Sequence, residues 1–387
     1  MRAVEFYSGI GGLHLALRRS SISATIVAAY DWDQTACQVY ATNFDSAVIH
    51  KADISRLTSA QLSELRADLW LLSPACQPYT VLNPDAKGAV DPRAQSFLHL
   101  IDHVLPELAA ERGHPSYILI ENVGGFQGSD TRQRLRSILE RLGYNIAEFI
   151  LNPLQVGIPN SRSRYYLLAK LSPRKFIGLD DTTSEILHCI PLQSAESIVP
   201  RRLRHYLDGS MDDETRALFR IPDRILKKWG RLFDIVLPSG TRSCCFTRGY
   251  TQLVERAGSI LQMNEQLDTT KVFDEFLVAR ASNDEDAVRM LDRLGLRYFT
   301  PSELLRLFHF VDPFEPDSDH SFDFVWPSGI SLKSKYRLIG NSVNVEVVRR
   351  LIEYLCSEEG SQATQAESPP ECQSSYSELM LIGNPGN

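Results

Sequence analysis

The sequence has no long apolar run, no regular cysteine pattern and no excess of positive charge. Its longest apolar stretch, near residues 24–30, is far too short to span a bilayer, and the amino terminus lacks the apolar core of a signal peptide. The seven cysteines include no C-x-x-C pair and no zinc-like cluster with histidine. These absences predict a protein that has neither a metal site nor a membrane segment. They also predict that it resides in a reducing compartment, the cytoplasm or the nucleus.

The net charge of −7 is the strongest argument against a nucleic-acid enzyme, which is basic by default. The charge is uneven, however. Two basic groups are formed by Arg201, Arg202, Arg204 and His205, and by Arg220, Arg224, Lys227, Lys228 and Arg231. A basic cleft on an acidic body suits tRNA and predicts weak, salt-sensitive binding of DNA. Taken alone, either group could equally be a solvated surface.

The 387 residues exceed the usual size of one domain. Apolar runs alternate with helical patterns over residues 1–172, which predicts an α/β domain with a doubly wound, mostly parallel sheet that holds the catalytic and cofactor residues. This alternation of strand and helix patterns is lost over residues 173–298, which we predict to form the target-recognition lobe. Residues 299–356 resume helical patterns, beginning with a capping box at Thr300 and Glu303. Residues 357–387 are Ser-, Gln-, Glu- and Pro-rich and predicted to be disordered.

Three successive predicted strands end in residues that suit a ligand. The first, residues 2–6, leads into a glycine turn, and the second and third end at Asp31 and Asp53. The G-x-G-G spacing of the turn differs from the G-x-G-x-x-G that seats a pyrophosphate, and alone it fits an ordinary tight turn as well. Glycines and acids at three strand ends suit an adenosine without phosphates, which favours S-adenosylmethionine over NAD.

A thiol and a carboxyl follow two further apolar strands. Cys76 comes after residues 68–72, on a loop stiffened by Pro74 and Pro78, and Glu121 comes after residues 117–120. In a parallel sheet both side chains emerge at the carboxyl edge, where open α/β folds bind their ligands. The pair indicates covalent catalysis assisted by an acid. The alternative for Cys76 is an inert core thiol.

These motifs, in this order, resemble those of the cytosine-5 methyltransferases. The similarity rests on F-Y-S-G-I-G-G at 6–12, P-A-C-Q at 74–77, E-N-V at 121–123, S-R-S-R at 161–164 and I-G-N-S-V-N at 339–344. The runs D-P-R at 91–93, G-I-P-N-S-R at 157–162 and C-C-F-T-R-G-Y at 244–250 are similar to the tRNA(Asp) branch of that superfamily. One departure is Ala75, where the family usually has proline, since alanine leaves free a backbone dihedral that proline would fix.

The resemblance implies methyl transfer from S-adenosylmethionine to C5 of cytosine 38 in the anticodon loop of tRNA(Asp). Cys76 would attack C6, and Glu121 would hold or protonate N3. Arg162 and Arg164 would contact the base carbonyl and the carboxylate, with a surface ion pair as the alternative. The resemblance leaves the role of Cys245 open between positioning in the recognition lobe and simple packing.

The resemblance also implies the cofactor contacts. The residues expected there are Tyr7, Ile10, Gly11, Gly12, Asp31, Trp32, Asp53, Ile54, Asn341 and Ser342. The turn backbone would approach the methionine end, Asp31 the ribose and Asp53 the adenine amino group. Trp32 would lie against the adenine, or else be a core aromatic. Asn341 and Ser342 would close the site.

Two other functions are compatible with the sequence. A DNA cytosine-5 methyltransferase would share every catalytic residue. A catalytically silent nucleic-acid-binding scaffold would have no chemical need for Cys76, Glu121 and Arg164 together. We expect a monomer.

Overall fold

The computed structural model describes residues 1–79, 88–179, 185–191, 198–253, 257–282, 284, 286–314 and 322–358. Its main sheet is formed by β1 (Arg2–Phe6), β2 (Thr25–Asp31), β3 (Ile49–Lys51), β4 (Leu69–Leu72), β5 (Tyr117–Val123), β6 (Tyr144–Leu151) and β7 (Arg164–Leu171). The strand order is β3-β2-β1-β4-β5-β7-β6. Strands β1 to β5 are parallel, whereas β7 is antiparallel to both of its neighbours. The prediction of a mostly parallel α/β sheet is confirmed.

Helices cover both faces of this sheet, and further helices lie in the predicted recognition lobe. They are α1 (Gly12–Arg19), α2 (Gln34–Asn43), α3 (Ser59–Glu64), α4 (Gln95–His99), α5 (Leu105–Ala110), α6 (Asp130–Arg141), α7 (Asp213–Leu218), α8 (Asp223–Trp229), α9 (Thr269–Ala281), α10 (Pro301–Leu307), α11 (Leu332–Gly340) and α12 (Val345–Cys356). Helices α1, α2 and α12 share one apolar core, and α3 to α6 share the core on the opposite face. All four residues of β4 are buried, as expected for a strand covered on both sides. In the described ranges, no helix is long and apolar enough to cross a membrane.

A second, small sheet lies within the predicted recognition lobe. It is formed by β8 (Ile235–Val236), β9 (Ile260–Gln262) and β10 (Leu296–Arg297), in the order β10-β9-β8. Side chains of β9, β10, α8 and α9 form a third apolar core of their own. The lobe boundaries themselves stay predictions. Of the tail expected to be disordered, residues 359–387 lie outside the described residues.

The carboxyl-terminal segment returns to the main sheet. The capping box predicted at the start of α10 is confirmed, since Thr300 and Glu303 cap each other's backbone. The last helix begins at Val345, because Asn344 accepts the hydrogen bond that caps it, whereas Asn341 is the C-cap of α11. Helix α12 then packs beside α1 in the same core, next to the glycine turn.

Candidate active site

A cavity opens at the carboxyl ends of β1, β2 and β5, beside the point between β1 and β4 where the strand order reverses. Because β7 is antiparallel, it brings its amino end to this edge, and Arg164 pairs in register with Val123 at the end of β5. The predicted site residues that line the cavity are Tyr7, Gly12, Asp31, Cys76, Glu121, Arg162, Arg164, Asn341 and Ser342. The sheet therefore brings together the thiol, the carboxyl and part of the predicted cofactor set.

The loop that carries the thiol is tied to the sheet on its amino-terminal side. The Ser73 hydroxyl donates to the carbonyl oxygen of Tyr7 at 3.0 Å. The buried amide of Asn122 donates to the carbonyl oxygen of Pro74 at 3.3 Å. These two hydrogen bonds hold the loop directly before Ala75, so the backbone freedom introduced there by the missing proline is restricted by its neighbours.

Burial opposes the ionisation of both Cys76 and Glu121, and the charge of Glu121 also opposes that of Cys76. Cys76 is half-buried, and burial followed by the charge of Glu121 raises the pKa of its thiol, while Arg164 and Arg162 counteract this. Glu121 is 7% exposed, and burial raises the pKa of its carboxyl against the same two arginines. A raised pKa favours the protonated carboxyl, which is the form that can donate to a ring nitrogen of a base.

The two predicted arginines have different surroundings. The Nε of Arg164 lies 3.4 Å from Oε1 of Glu121. Arg162 is 3% exposed and donates from Nη1 to the carbonyl oxygen of Phe246 at 2.8 Å and from Nη2 to that of Ser342 at 2.7 Å. Arg162 therefore ties the recognition lobe and the carboxyl-terminal segment to β7. Within the described chain, the predicted ion pair with the carboxylate is made by Arg164 and not by Arg162.

Cys245 lies against both arginines. Its Sγ is 3.4 Å from Nη1 of Arg162 and 3.7 Å from Nη2 of Arg164. Burial opposes ionisation of this thiol, but the two guanidinium groups outweigh burial and lower its pKa. Cys245 thus contacts two charged groups, and its role stays open between positioning in the recognition lobe and packing.

The cofactor side of the cavity is polar. Asp31 accepts hydrogen bonds from the backbone N–H groups of Gly9 and Asp33, both at 2.7 Å, one on each carboxylate oxygen. Each oxygen retains a lone pair for a ligand hydroxyl. The buried Ser8 hydroxyl, also in the lining, has no hydrogen-bond partner among the described residues. An orphaned hydroxyl beside a carboxylate fits a polar ligand such as a nucleoside.

The other predicted cofactor residues lie outside the lining of this cavity: Ile10, Gly11, Trp32, Asp53 and Ile54. Ile10 and Ile54 belong to the two apolar cores. Trp32 is 70% exposed, so it is not a core aromatic. Asp53 caps the short helix that follows it. The cofactor contacts predicted for these residues stay predictions.

The glycine turn has a steric reason that the sequence did not reveal. A Cβ atom on Gly11 would lie 2.2 Å from Cε2 of Phe44, and one on Gly12 would lie 2.8 Å from Cγ2 of Val343. Gly11 also has a φ of +87°, which disfavours other residues. These contacts with protein side chains give both glycines a steric reason within the fold, and the predicted approach of the turn backbone to the methionine end of the cofactor stays a prediction.

Sequence reasoning missed several lining residues, among them Ser8 and Asp33. Ser8 was read only as part of the glycine motif, and nothing in its spacing signals an unpaired hydroxyl. Asp33 lines the cavity, caps α2 and pairs with Arg337, more than 300 positions away. A residue at the start of a helix is predictable as a cap, but a partner so distant in sequence is not.

The fold and the site together define the class of protein to which this chain belongs. The chain belongs to the C-5 cytosine-specific DNA methylase family, whose sequence profile matches residues 1–357. A Schizosaccharomyces pombe protein named tRNA (cytosine(38)-C(5))-methyltransferase is 40% identical over 356 residues, which cover 92% of this chain and 96% of that protein. A Homo sapiens protein of the same name is 34% identical over 408 residues, with 92% and 99% covered. The crystal structure of S. pombe Dnmt2 methyltransferase superposes with a TM-score of 0.71 at 36% identity, with 92% of this chain and 98% of that chain covered. The resemblance predicted from the motifs is confirmed.

Proposed function

We propose that this protein transfers a methyl group from S-adenosylmethionine to C5 of a cytosine in tRNA, with cytosine 38 of the tRNA(Asp) anticodon loop as the target. The observation that carries the proposal is the placing of Cys76, Glu121 and Arg164 in one cavity. The names of the relatives described above support tRNA as the substrate.

The chain's own residues account for the activation of the base. Unactivated C5 of cytosine is too weak a nucleophile to take a methyl group. Attack of the Cys76 thiolate on C6 makes a covalent adduct in which C5 becomes enamine-like. Glu121 donates a proton or a hydrogen bond to N3, and Arg164 holds the carboxyl in place and faces the base carbonyl. After methylation, loss of the C5 proton and expulsion of the thiol restore the aromatic ring.

S-adenosylmethionine supplies an electrophilic methyl group. Its ribose hydroxyls fit the free lone pairs of Asp31, and the orphaned Ser8 hydroxyl fits a polar group of the same ligand. Asn341 and Ser342 border the cavity from the carboxyl-terminal segment, as expected for residues that close over a cofactor. The neighbouring Trp32 and Asp53 are proposed to meet the adenine.

The substrate side favours a folded RNA over duplex DNA. A base in a nucleic acid must leave its stack to enter a cavity, and an anticodon loop offers it already unpaired. A net charge of −7 gives little general attraction to a long duplex. We propose weak DNA binding, a monomer, and a cytoplasmic or nuclear location.

A methyl-transfer assay with labelled S-adenosylmethionine tests the function when total tRNA and genomic DNA are offered in parallel. We expect label in tRNA and much less in DNA. Cys76→Ala is expected to lose turnover while it still binds S-adenosylmethionine. Cys356→Ala, at the far end of α12, is the matched control and is expected to stay active. Equal or faster labelling of DNA at the same ionic strength would favour a DNA methyltransferase. Turnover by Cys76→Ala would show that Cys76 is not the nucleophile.

A further inference from the structure

One arginine of the recognition lobe is stacked on an aromatic ring at the surface. The guanidinium carbon of Arg201 lies 3.9 Å from the centroid of the Phe314 ring. Phe314 is 37% exposed, and Arg201 is also exposed. The ring of Tyr206, which is itself buried, meets Phe314 edge-on at 5.8 Å and 85°. This Arg201–Phe314 stack is therefore exposed, and the buried Tyr206 supports the ring of Phe314.

Arg201 differs in this from Arg204 in the same basic group. Arg204 is paired with Glu265, at 3.3 Å. Among the described residues, Arg201 has no carboxylate within ion-pair distance, and its charge is held over the Phe314 ring instead. A guanidinium held flat on a ring keeps its outer plane available for a second stacking partner and loses little conformational entropy when that partner binds.

The stack is connected to the loop that enters the active site. The backbone N–H of Arg201 donates to the carbonyl oxygen of Gly157 at 2.9 Å, and the side chain of Ile198 packs over the same glycine. Gly157 precedes Arg162 by five residues, so its Cα lies at most about 18 Å from that of Arg162 even if the chain were fully extended. The stack is thus close enough to the cavity for one short single-stranded RNA segment to contact both.

We propose that the Arg201–Phe314 stack is a binding platform for an unpaired nucleobase that flanks the target cytosine in the substrate RNA. The inference rests on the proposed RNA substrate and adds a specificity-determining contact to it. Proteins that select single-stranded loops stack bases on aromatic side chains and on guanidinium planes. The base lies on the outer plane of Arg201, and Phe314 keeps that plane in position. A duplex cannot use this platform, because its bases stay stacked on one another.

The test measures binding rather than turnover. An anticodon stem-loop RNA carries 2-aminopurine at the position before or after the target cytosine, and its fluorescence is quenched when the base stacks. The variants are Phe314→Ala and Arg201→Lys, which keeps the charge but removes the plane. We expect both to bind the labelled RNA about tenfold more weakly and to lose the quenching, since one base stack contributes that much. Phe314→Tyr is expected to restore both.

Arg202→Lys is the matched control, because Arg202 is the adjacent exposed arginine without a ring contact within the described residues. It is expected to bind and quench as the wild type does. Equal quenching by the wild type and Arg201→Lys at both labelled positions would overturn the platform. If the stem-loop is bound and quenched as expected but no tRNA is methylated, the platform stands and the proposed function fails.

Discussion

At the scale of single residues, the site depends on five ionisable groups whose charges are coupled. Glu121 raises the pKa of the Cys76 thiol, whereas Arg162 and Arg164 lower it. Cys245 contacts the same two arginines and is the thiol whose pKa is lowered. A lowered pKa thus does not identify the nucleophile here. Position does, because Cys76 lies on the loop at the carboxyl edge of the sheet, where the carboxyl of Glu121 also emerges.

Glu121→Gln separates these effects. Gln removes the negative charge that raises the pKa of Cys76, so the thiolate forms at lower pH. We expect faster alkylation of Cys76 by iodoacetamide at pH 8, measured by peptide mapping, together with a loss of methyl transfer of roughly 100-fold or more because the acid is gone. Arg164→Ala, which removes a positive charge, is expected to slow the alkylation. Unchanged alkylation in both variants would contradict the coupling.

At the scale of elements, β1, α1 and α2 are joined by a buried polar network behind the glycine turn. Glu5 on β1 is fully buried, and its carboxylate accepts from the Tyr40 hydroxyl at 3.1 Å and from the His14 backbone N–H at 3.3 Å. Burial raises the pKa of Glu5 to about 8, and burial lowers that of His14 to about 4. Both side chains are therefore neutral in the folded protein at neutral pH, and the three elements meet without a buried charge.

Glu5→Gln tests this network. The pKa of Glu5 is raised above its ordinary value of 4.5, so its contribution to stability is complete below about pH 4.5 and is lost as the pH rises through about 8. Gln does not ionise, and we expect the variant to have a clearly higher Tm than the wild type at pH 9 and a smaller increase at pH 6, where only part of the contribution of Glu5 is lost. Thermal unfolding at the two values measures the difference. Glu64→Gln, at an exposed position of α3, is the control, and an equal pH effect there would refute the assignment.

At the scale of the whole molecule, an acidic chain must attract a polyanion through local basic surfaces. Helix α8 carries Lys227 and Lys228 in its last turn, outside the main sheet. Arg162 meanwhile holds both the recognition lobe and the carboxyl-terminal segment against β7, through carbonyl oxygens 84 and 180 positions away. The molecule thus combines a cavity fixed by long-range hydrogen bonds with a surface whose attraction depends on salt.

Replacement of Lys227 and Lys228 by Ala is expected to weaken tRNA binding and to make its salt dependence shallower. The magnitude of the negative slope of log K against log salt concentration should decrease by about 0.7 for each phosphate that the protein no longer neutralises. The affinity for S-adenosylmethionine should not change. Binding titrations at several salt concentrations measure the slope, and the double Arg replacement, which keeps both charges, is the control. A slope that stays the same in the Ala variant would exclude α8 from the RNA surface.

The sequence by itself determined the parts of this protein that depend on local patterns. The bounds of β1, the capping box of Thr300 and Glu303, and the positions of the thiol and the acid at strand ends follow from periodicity, caps and turns. These features involve residues only a few positions apart, and strand ends in a parallel sheet share one edge whatever the loops between them do.

Only the tertiary structure decided which groups touch. It assigned Arg164 to Glu121 and Arg162 to distant carbonyl oxygens, placed Cys245 against both arginines, and put Phe44 against Gly11. Each of these contacts joins residues 33 or more positions apart, and many side chains of the same type compete for each partner. The packing of the lobes selects among these competing partners. A buried polar group must form its hydrogen bonds in the same arrangement of side chains that fills the core.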